Sequence, residues 1–378
     1  MDYRVISADN HLMEPRQLFE ERLPAAFRDR APRVMRGTNG GDGWSFDGSP
    51  PSRTFGLEAV AGQKAAGQEY MAEGLTWDQV LPGNYDGAAH VKDMDADGID
   101  VSVVYPTLVT FIYLEQDRDL ARACMVAYND WMLEDFQGAD PRRLVGLPML
   151  PVDDDVDVCV QEFERVVAKG AKAVFVPGFP VEPYHDPRYE PLWSAAEDAG
   201  VPVTFHRTFG GRSQEPDWDG GRNNFSAAGT VARFFSGVRP LTYMIFAGVF
   251  DRHPGLVLVG AEINCGWVPF WAQTMDQQAY NQQALQDMPS GKAPSDCLGT
   301  NVFVTVLDDD IGFRLMAEGE PLGELGHLAD ASMFSTDYPH SVTLWPNSRS
   351  HIARLTKGMS DHDTEKVLSG NAARVYHV

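Results

Sequence analysis

Five side chains stand where their type and placement could do chemistry: Asp9, His11, His206, Glu262 and Asp337. Asp9 and His11 are two residues apart, which puts both on one face of an extended segment. His206 directly follows Val-Pro-Val-Thr-Phe, Glu262 follows Leu-Val-Leu-Val-Gly-Ala, and Asp337 follows Met-Phe-Ser-Thr. Each therefore ends a short apolar run. Two imidazoles and three carboxylates form a hard-to-borderline donor set suited to Zn²⁺, Mn²⁺ or Fe²⁺. Without a cation, three carboxylates brought together would repel. Zinc is the first choice by ligand type, followed by iron or manganese. The acidic share of the set leaves room for one or two ions.

Taken singly, each residue has an ordinary structural reading. A His after a strand is more often a hydrogen-bonded core or loop residue, and Asp-Asn pairs are common turn formers. Asp337 could cap a helix, and Glu262 could pair with a base. The recurrence at independent strand ends is what points to metal. Four neighbours extend the set. Arg207 could neutralise a substrate carboxylate or a developing oxyanion, or else be a surface base pairing with an acid. His340, three residues beyond Asp337, could donate to substrate or orient Asp337. Glu14 reads as an anchor for the turn after the first strand rather than a ligand, and His185 lies in a loop from which it could reach the site. His253 precedes its strand and belongs at the opposite end. His90, His327, His351, His362 and His377 read as surface residues of helices or tails.

The elements that must position these groups are eight apolar, β-rich runs: 5–8, 100–105, 145–148, 173–177, 201–205, 256–261, 302–305 and 333–336. They show little polar alternation, as parallel strands covered on both faces should. Helical patterns lie between them. In 119–136, Leu120, Cys124, Ala127 and Trp131 share one face, and 189–199 stops at Gly200. Eight strands alternating with helices predict an α/β chain folded as one (β/α)₈ TIM barrel over residues 1–378, with active-site residues at the C-terminal ends of the strands. An open sheet would need a Gly-rich phosphate turn after its first strand, and Ser-Ala-Asp-Asn-His is not one. From Arg36 to Asp86 the chain has no sustained period but carries Trp44, Phe46, Phe55, Tyr70, Trp77 and Tyr85. A loop that long is usually functional or disordered, and the aromatics predict a lid over the site. A second Gly/Asn/Arg-rich stretch, 209–224, lies on the same rim.

Composition narrows the partners. The formal charge of −23 leaves no Lys/Arg surplus for phosphate and disfavours anionic membranes. The longest uncharged apolar run, Leu241 to Phe250, is half of what a membrane span needs. It also predicts more apolar surface than a barrel uses, hence a homo-oligomer. The N-terminus lacks the basic flank and apolar core of a signal peptide. Four scattered cysteines without a C-x-x-C pair suit a reducing, cytoplasmic setting. The expected partner is a small-molecule substrate, with no nucleic acid and no membrane.

Several motifs together resemble the amidohydrolase-related family, in the superfamily branch typified by aminocarboxymuconate semialdehyde decarboxylase. They are Ser-Ala-Asp-Asn-His-Leu-Met-Glu-Pro (7–15), Asp-Met-Asp-Ala-Asp-Gly-Ile-Asp (93–100) and Asp-Pro-Arg-Tyr-Glu-Pro-Leu-Trp (186–193). Further on come Val-Pro-Val-Thr-Phe-His (201–206), Phe-Asp-Arg-His-Pro-Gly-Leu (250–256), Ser-Thr-Asp-Tyr-Pro-His (335–340) and Gly-Asn-Ala-Ala-Arg-Val-Tyr (370–376). The resemblance implies a barrel with metal held by an H-x-H or acidic-x-H pair, a His and an Asp, which fall here on Asp9, His11, His206 and Asp337. Two departures stand out. Asp9 replaces the first His, and Glu262 stands where the decarboxylases carry a catalytic His.

The combined reading is a metal-dependent hydrolase of a small carbonyl substrate, working through a metal-activated water. Asp337, kept ionised by the neighbouring cation, would relay the proton. Glu262 would bind metal or move a proton. The alternative is metal-dependent, non-oxidative decarboxylation of an aromatic or unsaturated acid. A third possibility is a catalytically silent metal-binding scaffold.

Overall fold

The computed structural model describes residues 3–46, 48–63, 71–207, 226–282, 291–318 and 328–378. Ten strands run in chain order through them: β1 (Ile6–His11), β2 (Arg33–Arg36), β3 (Asp42–Ser45), β4 (Val101–Tyr105), β5 (Leu144–Gly146), β6 (Val174–Phe175), β7 (Val203–His206), β8 (Leu258–Ala261), β9 (Val302–Val306) and β10 (Ser332–Phe334). All eight runs singled out in the sequence overlap a strand. These eight are parallel to their neighbours in two sheets, β1-β4-β5 and β10-β9-β8-β7-β6. Every residue in them is buried, which is why they read as continuous apolar runs rather than alternating ones.

Backbone hydrogen bonds join the two sheets at both seams. Phe175 donates to the Pro148 carbonyl at 2.7 Å, and Leu150 donates back to Phe175 at 3.0 Å. On the other side Asp337 N donates to Asp9 O (3.0 Å) and His11 N to Tyr338 O (2.7 Å). Helices separate the strands. Arg118–Trp131 runs into a π-turn over Met132–Phe136 and buries Leu120, Cys124, Ala127 and Trp131, the face read from the sequence. Glu190–Ala199 ends at Gly200 with φ 62°, the left-handed position that glycine takes most easily. Aspartates start several helices. Asp86, Asp117, Asp155 and Asp309 each accept a backbone N–H of the first turn.

Three sequence expectations change. The 36–86 region is not featureless, because β2 and β3 form an antiparallel hairpin and Phe55 bridges Leu75. Trp44 and Phe55 are buried there, so the aromatics work partly as a local core that the lack of period concealed. Tyr70 and the 209–224 stretch lie outside the described residues, as does His327. The apolar run Leu241–Phe250 is split by Gly248 (φ 71°) into helices Val238–Phe246 and Val249–Arg252. Leu241, Met244, Ile245, Val249 and Phe250 are buried, and Tyr243 is exposed. Most of its apolar side chains are thus spent inside the chain. Among the described residues, no helix is long and apolar enough to cross a membrane.

His90 and His351 are not surface residues; both are buried. His362 and His377 are exposed, as expected. His90 faces the sheet from helix Gly87–Asp97, with Nδ1 2.9 Å from Gly83 O and Nε2 3.1 Å from Ser102 Oγ. Burial pushes its pKa down to about 4. The unfolded chain therefore takes up this proton first. The contribution to stability is complete above pH ~6.5 and is lost as pH falls toward 4. Replacing His90 by Gln should remove on the order of 3 kcal/mol of that acid-limb loss, read as a smaller change in urea-unfolding free energy between pH 7 and pH 4.

Candidate metal centre

The predicted ligands converge where the parallel strands end. Asp9 and His11 lie in β1, His206 closes β7, Glu262 follows β8, and Asp337 lies three residues past β10. All five are buried. His11 Nε2 lies 3.2 Å from His206 Nε2, 3.5 Å from Asp9 Oδ1 and 3.4 Å from Asp337 Oδ1. His206 Nε2 is 3.8 Å from Asp9 Oδ1 and 3.3 Å from Glu262 Oε2. Ligand atoms around one ion with bonds of ~2.1 Å at tetrahedral to octahedral angles would be about 3.0–3.5 Å apart, so these spacings fit the edges of a coordination shell. Asp9 Oδ1 and Asp337 Oδ2 are buried without a regular hydrogen bond, and Asp337 Oδ1 has only the His340 and His11 ring nitrogens near it, at 2.9 and 3.4 Å. Buried polar atoms rarely stay so unless an ion or water takes them.

The local backbone is shaped for this convergence. Glu262 and Asp337 have φ of 54° and 49°, a left-handed conformation that costs a non-glycine residue about 1–2 kcal/mol. Fixed partners hold both. Glu262 N donates to Thr305 Oγ1 at 2.7 Å, and Asp337 N to Asp9 O at 3.0 Å. Thr305 also donates to Asp9 Oδ2 at 3.0 Å, leaving Oδ1 for the cluster. Thr305 was not singled out in the sequence, where a lone Thr near the end of Val-Phe-Val-Thr-Val is the only signal.

Protonation follows from burial. His11 and His206 are held well below the usual imidazole range by desolvation, and His340 is pushed down to about 4. They are neutral and offer lone pairs. The His11 ring is hydrogen-bonded to the backbone of Pro106, which has no N–H, so the ring is the donor. Thr107 Oγ1 lies 3.4 Å from Nδ1, on the side away from the cluster, which leaves Nε2 as the acceptor atom facing the other ligands. Asp9 is pushed up to about 7 by burial, partly offset by the Thr305 hydrogen bond. Asp337 is raised well above the carboxylate range by burial and then by Glu262 and Asp9. The expectation of an ionised Asp337 thus requires the cation; protein groups alone favour its acid form.

The neighbours divide. His340 Nδ1 is 2.9 Å from Asp337 Oδ1, and its ring stacks on His11 with centroids 3.9 Å apart. Two groups of potential ligands result: Asp9, His11 and His206, and His11, Asp337 and His340. Glu262 belongs to neither, although one oxygen faces His206. Its other oxygen pairs with Arg207, whose guanidinium packs over the Phe234 ring at 4.2 Å. Arg207 is therefore buried and already paired, not a surface base. Glu14 anchors the loop after β4 rather than the turn after β1, with Oε1 accepting from Thr107 N (2.9 Å) and Val109 N (3.3 Å). His185 stacks on Tyr243 instead and joins neither group. His253 bridges Glu190 and Glu197 just ahead of β8, as its position implied.

A cavity of about 230 Å³ is lined by Trp44, Phe46, Arg53, Glu58, Leu108 and Phe111. None of the five predicted ligands lines it. It is tied to the site through the loop that carries Thr107, and through Ala61 N to Pro339 O (3.1 Å) and Ser341 N to Leu57 O (2.8 Å).

A family model described as Amidohydrolase matches residues 86–378. The chain belongs to the amidohydrolase family. A gamma-resorcylate decarboxylase of Rhodococcus jostii (strain RHA1) is 26% identical over 320 residues, 80% of this chain and 91% of that one. An amidohydrolase from Mycobacterium avium subsp. paratuberculosis K-10 has a similar structure, with TM-score 0.76, 23% identity and 100% of both chains covered. So does a dihydroxybenzoic acid decarboxylase from Polaromonas sp. JS666, solved with bound manganese and the inhibitor 2-nitroresorcinol (TM-score 0.64, 18% identity, covering 99% of this chain and 97% of that one).

The Arg207–Glu262 pair can be tested without metal. Breaking a buried pair from one side costs about 3–5 kcal/mol because the other charge is stranded. In chelator, Arg207→Gln should lower urea-unfolding stability by that order, and Arg207→Gln/Glu262→Gln should recover most of it. Additive losses in the double variant would contradict the pairing.

Proposed function

We propose that this amidohydrolase-family protein is a metal-dependent, non-oxidative decarboxylase of an aromatic carboxylic acid. The observation that carries the metal is the convergence of Asp9, His11, His206 and Asp337, two groups of potential ligands that share His11, with the buried carboxylate oxygens of Asp9 and Asp337 turned toward it. The choice of reaction is supported by the relative named gamma-resorcylate decarboxylase and by the fold shared with dihydroxybenzoic acid decarboxylase. One ion, held by those four residues, would supply the positive charge that binds a substrate carboxylate and offsets the two aspartates. The oxygen-rich ligand set suits manganese, and zinc is the alternative ion. We read the two sheets, hydrogen-bonded at both seams, as one closed eight-stranded barrel forming a single domain. The 36–86 segment is its lid, with the cavity it walls admitting the apolar part of the substrate.

Asp337 is the proton carrier. Ionised beside the ion, it takes up a proton from solvent as substrate binds and, as the acid, donates it to the ring carbon bearing the carboxylate. The carbon–carbon bond then breaks, its electron pair restores the aromatic ring, and CO₂ leaves. His340, 2.9 Å away, orients the Asp337 carboxyl. Thr305 fixes Asp9, and the apolar walls exclude water from the ring carbon.

A second reading, hydrolysis, is favoured by one feature: Glu262 occupies the place of the decarboxylases' His, and a carboxylate there can accept a proton from water. Product isotopes separate the two. Turnover of 2,6-dihydroxybenzoate, the substrate named for a solved structure with the same fold, in deuterium oxide should place one deuterium on the ring and release one CO₂. With an aryl ester or amide as substrate instead, turnover that carries one oxygen from labelled water into the product acid would establish hydrolysis. Asp337→Asn should lower kcat by at least about 10²-fold while retaining Mn²⁺ through the remaining ligands; equal loss of metal and activity would reduce Asp337 to a ligand.

A further inference from the structure

We infer that Asn10, which lies between the two β1 ligands but points to the other face of the strand, is the positioning residue that sets Asp337 against His11. The inference rests on the metal reading above and concerns a residue that does not touch the cluster. β1 and β4 slip register between Ser7 and Asn10: Ser7 pairs with Ser102, but Asn10 pairs with Val104. β1 therefore spends three residues where β4 spends two, a bulge of the kind that re-aims side chains beside functional sites. The bulge leaves the Asn10 side chain, almost wholly buried, at the junction with the loop after β10.

That loop is held by three successive amides, each given to β1. Thr336 N donates to Ser7 Oγ at 2.8 Å, Asp337 N to Asp9 O at 3.0 Å, and Tyr338 N to Asn10 Oδ1 at 3.2 Å. The strand answers through His11 N, which donates to Tyr338 O at 2.7 Å. Asn10 Oδ1 also accepts from Thr336 Oγ1 at 2.6 Å and Ser7 Oγ at 3.0 Å. Because a backbone N–H can only donate, the Asn10 atom facing Tyr338 is its oxygen. The amide nitrogen then points the other way and donates to Ser102 Oγ at 2.6 Å, which in turn meets His90. Asn10 thus continues the hydrogen-bond ladder with a side chain where the backbone of the loop turns away from the sheet.

Asp337 sits in the middle of this clamp, at φ 49°. A residue in that conformation persists when its surroundings over-determine it. Asp9 O grips Asp337 from its own N–H, and Asn10 grips the next residue; together they fix the peptide on which the Asp337 carboxyl depends. Without the Asn10 acceptor, Tyr338 N, in a buried residue, is left without its hydrogen bond. The loop then relaxes, and Asp337 Oδ1 loses its 3.4 Å placement beside His11 Nε2.

The test is Mn²⁺ binding to the full chain after chelator dialysis, by calorimetric titration, alongside thermal unfolding of the same samples. Asn10→Ala should weaken the Mn²⁺ dissociation constant by about 10–100-fold, the loss typical of a residue that orients ligands. Asn10→Asp keeps the acceptor toward Tyr338 N and should bind within about threefold of wild type, or tighter. Ser102→Ala removes the partner on the other side of Asn10 and should also stay within about threefold. If Asn10→Ala does not fold, Asn10→Ser, whose hydroxyl is too short to reach Tyr338 N, is read in its place. A merely structural Asn10 would lower the melting temperature without moving the dissociation constant. That result, or an equal loss of affinity in Ser102→Ala or Asn10→Asp, overturns the inference while leaving the metal reading standing. Absence of Mn²⁺ binding in the wild-type chain removes both.

Discussion

Three carboxylates, Asp9, Glu262 and Asp337, are carried into a buried site together with two imidazoles that burial keeps neutral. Arg207 is the protein cation paired within this set, and it is committed to Glu262. Asp9 and Asp337 bring further negative charge, and removing it from water is costly unless a cation or protons arrive. Much of the surrounding architecture serves to keep these groups together despite that repulsion: the left-handed turns at Glu262 and Asp337, the Thr305 hydroxyl shared between Asp9 and Glu262 N, and the hydrogen bonds joining β1 to the loop after β10.

β1 works as a two-faced element. One face presents Asp9 and His11 to the cluster, and the other inserts Ser7 and Asn10 into a polar junction with Ser102 and Thr336. A few residues on, Glu14 ties the loop after β4 to the same strand, so that Thr107 meets His11 while Leu108 and Phe111 face the cavity. Placement of the ligands and shaping of the cavity are thereby coupled through short, directional contacts to one strand.

Glu262 is the point at which this chain departs most from the decarboxylases its motifs resemble. A carboxylate in place of an imidazole changes which group can carry a proton near the substrate. Pairing with Arg207 also changes what that arginine can do, since its charge is partly used within the protein. In the proposed mechanism the proton-carrying role rests on Asp337, with His340 Nδ1 2.9 Å from its carboxylate.

The eight strands were legible in the sequence because doubly covered parallel strands are continuous apolar runs, and the ligands because each follows such a run directly. Asp9, His11, His206, Glu262 and Asp337 could thus be named together from types and positions alone. Less legible was everything that depends on contacts between distant segments. The hairpin of β2 and β3 carries no strong period, since one strand is largely exposed. His90 and His351 looked like surface residues because burial there comes from helices docking on neighbours, not from local pattern. Arg207 and Glu262 are 55 residues apart, and Thr305, Asn10 and Thr107 acquire their roles only when β9, β1 and the loop after β4 are brought side by side. Local sequence determined which segments become strands and which residues end them, because that depends on short-range periodicity. Tertiary structure decided which polar atoms meet, which charges are paired and which are left for a cation, because those outcomes depend on distances that no single segment encodes.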